Sequence, residues 1–407
     1  MKKYFLSAVA LMAVSLVFAQ QEKGMVVIKG VLNGDLKGYN KIYLYTRTSN
    51  DSAVIKNGQY TFSFPFSEVA VKVLYPEYVK EMHMMYQPFG ILIAEPGTYY
   101  VTSDIAKGMA ASSEVKGPES MVLYRQYEKD QSEAYKNINP ALAKVYGENW
   151  YRIDEKDPRY AASQKSRDSL NEVFIFPLIK NLVEKHPDSY ASAYVLAGSG
   201  RNIASMEKKE QLLGMLSPRM RESGMGKKFS DFIQGLKSSR IGNTVANFVL
   251  PDPQDKAVDF NNLKGKYVLV DFWASWCAPC RQSFPHMREV YQTYKSDQFE
   301  IYSISIDESK TAWLKAVKEE NNPWLQSLDT KNISQSGFAV TAVPTTYLVD
   351  PQGKIIMKEI GFNSDGSGEI EKKLAGLFNK KVEIKPSTEK NNKPSIKAIP
   401  MKPIGSR

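Results

Sequence analysis

The sequence predicts an α/β domain over residues 241–380, preceded by an all-β, sandwich-like domain at 20–115 and a helical connector at 116–240. Three patterns carry this reading. Alternating apolar and polar residues, rich in aromatic and β-branched types, run from Met25 to about Ser103. Apolar residues three and four apart mark the stretch from Leu170 to Leu236. Beyond Ile241, strand-like runs alternate with helical ones, the pattern of an α/β layer.

At the N-terminus, Lys2 and Lys3 precede an apolar run from Tyr4 to Val14 and then Ser15 to Ala19. This is the pattern of a secretory signal peptide over residues 1–19, with Val17 and Ala19 as the small residues before cleavage and Gln20 as the first mature residue. A retained anchor is the alternative, although the run falls short of the ~20 residues that span a bilayer. Later segments are too polar to span, so the expectation is an exported, periplasmic protein with no integral membrane segment after cleavage.

In the β region, Met25 to Leu32, Lys41 to Tyr45 and Tyr60 to Phe66 read as strands. Asn57-Gly58 is a two-residue hairpin signal, and Tyr60, Phe62, Phe64 and Phe66 share one face as core. The connector shows apolar spacing at Leu170, Val173, Phe174, Leu178 and Leu182. A second set comprises Leu212, Leu213, Leu216 and Met220, followed by Phe229, Phe232, Ile233 and Leu236. Pro177 and Pro218 mark kinks or helix boundaries, and His186 a helix end. In the α/β region, Tyr267 to Phe272, Phe299 to Ile306, Thr345 to Val349 and Lys354 to Ile360 are predicted strands. Cys280 to Lys295, Lys310 to Glu320 and Glu369 to Phe378 are predicted helices. Residues 381–407 are rich in Lys, Pro and Asn and predict a disordered tail.

The chain has 407 residues and a formal charge of +10, but its lysines are scattered, which fits a solvated surface and not a nucleic-acid partner. Its two cysteines stand in one motif, Trp276-Cys277-Ala278-Pro279-Cys280, after a strand and at the start of a helix. An exposed thiol titrates near about 8.5, and a redox cysteine needs its anion stabilised. The unpaired N–H groups and positive dipole end at a helix start supply that for Cys277, while Cys280 lies a turn further in. Cys277 is thus the attacking sulfur and Cys280 the resolving one. A purely structural disulfide is a poor alternative, because closing so small a ring restrains the unfolded chain little. Zinc is another, but only His83, His186 and His286 are left to complete a tetrahedral set, so no metal is expected.

The stretch Val270-Asp271-Phe272-Trp273-Ala274-Ser275-Trp276-Cys277-Ala278-Pro279-Cys280 resembles the active-site segment of the thioredoxin superfamily. Together with the export signal, Phe260 to Tyr267 resembles the TlpA/ResA-like reductases. The regions before residue 241 resemble the N-terminal extension (DUF4369-like) found on such proteins from Bacteroidetes. The resemblance implies a thioredoxin-like C-terminal domain, with a central mixed sheet flanked by helices. It also implies a cis Pro344 in Thr341-Ala342-Val343-Pro344-Thr345, packed against the active-site disulfide and aiming the Val343 backbone at an extended substrate segment. An ordinary strand-initiating proline is the alternative there. Asp271 matches the buried acid that exchanges protons with Cys280, the alternative being a hydrogen-bonded strand-end aspartate. Trp276, Ala278 and Pro279 would join Val343 and Pro344 in the substrate-binding surface, Trp273 would pack in the core, and Pro285 would kink the helix. Arg281 and His286 either tune the thiolate or are solvated. One departure is Ser283, where ResA-like proteins often carry glutamate. A helix-rich insertion is expected at Asp307 to Gly337.

The implied activity is thiol–disulfide oxidoreduction without a cofactor, acting on protein thiols and disulfides. It would serve as a reductase fed by a membrane electron donor, with apocytochrome c among possible clients. Oxidation or isomerisation with the same cysteines is the reverse reading. Peroxidase activity would require Pro at 270 and Thr at 274, where Val270 and Ala274 stand. A non-catalytic role as a redox sensor or partner-binding envelope protein is the remaining alternative.

Overall fold

The computed structural model describes residues 24–45, 50–82, 89–153, 157–296, 298–361, 368–380 and 399–400. The predicted signal peptide and His83 lie outside these residues. Two compact units divide the chain, one reaching Val122 without 69–71, the other running onward from Leu123.

The first unit is rich in β-sheet, as expected, though it also holds the short helices Glu77–Glu81 and Met109–Ser112. Strands β1 (Met25–Asn33), β4 (Gln59–Pro65), β7 (Gly97–Asp104) and β8 (Glu114–Lys116) form one sheet in the order β4-β1-β7-β8. Strands β2 (Lys41–Tyr45), β3 (Asn50–Val54), β5 (Ala70–Pro76) and β6 (Phe89–Ile93) form a second, in the order β3-β2-β5-β6. Val26, Ile28 and Leu32 of β1 are buried at alternate positions, as are Tyr60 and Phe62 of β4, whereas Phe64 and Phe66 of the same row are only half-buried, so the row is core in its first half. Gly30 lies across from Tyr60, and a Cβ there would come within 1.8 Å of the tyrosine ring, which only glycine permits. Asn57 and Gly58 both adopt positive φ, +50° and +74°, and the Lys56–Gln59 bridge closes the predicted turn. The strands on its two sides belong to different sheets, however, so the turn passes the chain from one sheet to the other and does not head a long hairpin. Local turn chemistry fixed the bend; the choice of partner came from distant strands.

In the second unit the connector and the α/β region pack together, and the boundary expected at residue 240 is no gap between domains. The helix Gly224–Ser238 rests on the short helix Ile333–Ser336. At Gly235 a Cβ would sit 1.8 Å from the Gln335 carbonyl oxygen, so only a glycine lets the two backbones approach this closely. Asn332 donates to Asp231 at 2.7 Å and Arg201 donates to Gln335, tying the same contact. Phe229, Phe232 and Ile233 are buried, as their spacing predicts. The other connector stripe is corrected: Val173 is exposed, because one helix ends at Phe174 and a new one, Phe176–Lys185, begins around Pro177. The break resets the helical phase, and Ile179, Leu182 and Val183 become the buried face.

The α/β core is a five-stranded mixed sheet in the order β13-β12-β11-β15-β16. Here β11 is Tyr267–Trp273, β12 Phe299–Ser305, β13 Leu325–Leu328, β15 Thr345–Val349 and β16 Ile355–Ile360, while the short strands β9 (Val249–Pro251) and β10 (Ala257–Asp259) before them pair with each other. Strand β11 runs parallel to β12 and antiparallel to β15. Val268 to Trp273 are all buried, as a central strand covered on both faces requires. The segment Asp307 to Gly337 is less helical than expected: between its helices lies β13, which extends the sheet beside β12.

Candidate functional site

Strand β11 delivers the chain to the site, and the helix Ala278–Tyr294 begins there with Cys277 as its N-cap. The link between them is braced by Asp307, which accepts from the Ser275 N–H at 2.8 Å and hydroxyl at 2.7 Å, and from Ser305 at 2.6 Å. The sequence reading passed over Asp307. Its only signal was an acid just past the strand parallel to β11.

Cys277 and Cys280 are joined in a disulfide, and Cys277 Sγ accepts the Cys280 N–H at 3.1 Å. That bond sets the first sulfur on a backbone N–H of the helix start. Val343-Pro344 is a cis peptide. The Val343 carbonyl oxygen stands 3.6 Å from Cys277 Sγ, so the loop does meet the disulfide. Trp276 is about half exposed, Ala278 is exposed and Pro279 is half-buried, together giving the site an outward face. Trp273 is fully buried, edge-on to Phe284. Pro285 lies inside the helix.

Two expectations need correction. Cys277, read as the attacking sulfur at the helix start, is as fully buried as Cys280, which lies a turn further in. The second concerns the tail. Residues 381–398 and 401–407 lie outside the described residues, but Ile399–Pro400 form a strand, β17, antiparallel to β14 (Ala342–Val343). An edge with unpaired backbone donors and acceptors accepts any extended segment, which composition does not report.

Asp271 is fully buried on β11. Its carboxylate accepts the Ser303 hydroxyl at 2.8 Å, and Ser303 in turn accepts the Trp324 indole N–H at 2.8 Å, which commits the hydroxyl proton to Asp271. Burial pushes the Asp271 carboxyl up to about 7, against the lowering influence of that bond. Asp271 shares a cavity of about 40 Å³ with Ser283, Pro344, Glu359 and Glu371. Glu359 is raised by burial and by the charge of Glu371. Ser283 donates to the Cys280 carbonyl at 2.6 Å. The two carboxylates that join Asp271 around this cavity, Glu359 and Glu371, come from β16 and the closing helix Glu369–Phe378, elements far away in sequence, and local motif reading missed them.

His286 is buried, not solvated; its Nε2 lies 3.2 Å from Glu371 and its Nδ1 3.4 Å from Glu289. Arg281 is pinned to Glu320 at 2.6 Å and Glu319 at 2.8 Å. Among the described residues, no cluster of three or more His, Cys, Asp or Glu has the arrangement of a metal site, and no helix is long and apolar enough to cross a membrane.

Residues 241–358 match the AhpC/TSA family. The thiol-disulfide oxidoreductase ResA of Bacillus subtilis is 36% identical over 122 residues, 30% of this chain and 68% of the relative. ResA of Bacillus cereus is 32% identical over 133 residues, 33% of this chain and 77% of the relative. Among solved structures, the thioredoxin domain of a thiol-disulfide oxidoreductase from Bacteroides vulgatus is 36% identical, with 30% of this chain and 90% of that one covered and a TM-score of 0.29. A thiol:disulfide interchange protein from Bacteroides sp. is 30% identical, with 38% and 97% covered and a TM-score of 0.32.

Proposed function

Because this chain belongs to the family of ResA thiol-disulfide oxidoreductases, we propose that it is an exported reductase of protein disulfides working through Cys277 and Cys280. In the reduced enzyme Cys277 attacks one sulfur of a client disulfide. A mixed disulfide forms and the client's other sulfur leaves as a thiolate, taking up a proton. Cys280 then gives its proton to the Asp271 carboxylate and attacks Cys277 Sγ. The second client sulfur leaves, and the two electrons transferred to the client are balanced by the new Cys277–Cys280 disulfide. A thiol donor at the membrane restores the dithiol. Val343 and Pro344, with Trp276, Ala278 and Pro279, receive the client segment.

The observation that carries this reading is the placement of Cys277 Sγ: it accepts an N–H at a helix start and lies beside the Val343 carbonyl. A carboxyl lifted to about 7 suits Asp271 to both taking and releasing a proton near neutrality. The basic and apolar pattern of residues 1–19 supports export to the periplasm.

The decisive experiment is a Cys280→Ser variant expressed with its native leader. It should accumulate mixed disulfides on Cys277, and mass spectrometry of the adducts names the clients. A variant that is exported and folded yet carries no adduct would overturn the reading. The AhpC/TSA match favours one second reading, peroxide reduction, and Val270 and Ala274 count against it. The reduced protein is expected to leave hydrogen peroxide unconsumed in a direct assay.

A further inference from the structure

A disulfide exchanger must bring a client sulfur to its outer cysteine, yet Cys277 is fully buried. Its sulfur lies 3.6 Å from the Val343 carbonyl oxygen, and the edge to which Val343 belongs is already occupied: Val343 pairs with Ile399 and Ala342 with Pro400. We propose that Ile399–Pro400 are an internal occupant of the client-binding edge, an autoinhibitory strand that a client must displace. This rests on the reading of the Val343 edge as the client site.

The exclusion is stereochemical. One backbone N–H and one C=O on an edge serve one neighbouring strand at a time, so a client segment and β17 cannot pair with Val343 together. The chain's two cysteines are Cys277 and Cys280, so the tail offers no disulfide and competes without being turned over. Its hold is built to be weak. Among the described residues the ladder joins two pairs, and Pro400 has no N–H, so on the tail side of these pairs Ile399 alone carries a backbone donor. Because the strand is tethered to the domain it covers, its effective concentration is on the order of millimolar, enough to keep even a weak contact populated. A client that has formed its covalent bond to Cys277 is not displaced by such a contact.

The test compares three proteins in the reduced state: the full chain, a chain ending at Lys380, and the full chain carrying Ile399→Pro, which removes the remaining tail donor. Two quantities are read, the alkylation rate of Cys277 by iodoacetamide and the KM for a disulfide-bonded protein substrate. Both altered proteins should alkylate at least about threefold faster and show KM lowered by a similar factor at unchanged kcat, the change expected when most of the population must first open. A synthetic peptide covering residues 395–404 should reverse the gain in the shortened chain. Equal alkylation rates in all three proteins would overturn the proposal. A difference that fades on dilution would assign the strand to a second copy of the chain and overturn it equally. Faster alkylation with no turnover of any protein disulfide would support the internal strand while removing the reductase reading beneath it.

Discussion

Replacing Asp271 by Asn removes a buried charge while leaving the packing in place, since the side chains match in size and the Asn oxygen can still accept the Ser303 hydroxyl. In the native fold, burial lifts this carboxyl from 3.8 to about 7. A raised folded-state value has a definite sign. The stability this group contributes is fully present below about pH 3.8, and it is lost as pH rises to about 7, because ionisation then occurs in a site that resists charge. At about 1.36 kcal/mol per pKa unit the loss is on the order of 4 kcal/mol. That figure is an upper bound, because the adjoining cavity has room for water to solvate the anion. The assay is guanidinium unfolding of the oxidised protein at a series of pH values, followed by fluorescence of the five tryptophans, all of which lie in the second unit. The variant's advantage over the native protein should grow by up to about 1.4 kcal/mol per pH unit between 4 and 7, then level off. In the same variant, the pH dependence near 7 should vanish from the rate at which Cys280 resolves a mixed disulfide. Stability curves that stay parallel across this range would refute the argument, for they would mean that Asp271 ionises as freely in the fold as in the unfolded chain.

Two further outcomes test the surroundings. Burial pulls the His286 imidazole down, but its bonds and charge contacts with Glu371 and Glu289 outweigh that and hold it above 6.5, so its contribution is present below pH 6.5 and lost as pH rises through the folded value. His286→Gln should therefore cost about 1–2 kcal/mol at pH 5.5 and less at pH 8.5, read from paired unfolding curves; an equal cost at both would argue for packing alone. Gly235→Ala forces a methyl into the Gln335 backbone and should cost about 1–3 kcal/mol, seen as a lowered Tm of the second unit.

The disulfide-forming cysteines were legible in the sequence because they stand in one local motif. A strand, a Cys-x-x-Cys and a helix start occupy consecutive residues, and the helix N-terminus acts on the first sulfur whatever surrounds it. Pro344 and Asp271 were reachable through motif resemblance. What lay beyond reach was set by distant packing. Glu359 and Glu371 meet Asp271 only because β15, β16 and the closing helix fold back beside the active-site helix. Val173 follows the apolar spacing yet faces solvent, because a helix break shifts the phase that the spacing assumed. The burial of Cys277 depends on tertiary surroundings that no single-residue property of cysteine reports.

The contact at Gly235 bears on how the catalytic region can be studied in isolation. A fragment beginning at residue 241 would carry a furrow along Gln335 and Ala339 where a neighbouring backbone had been lodged, with Asn332 stripped of its aspartate partner. Clients measured against such a fragment would meet a raw surface that the intact polypeptide keeps filled, and any affinity found there would belong to the excision and not to the enzyme.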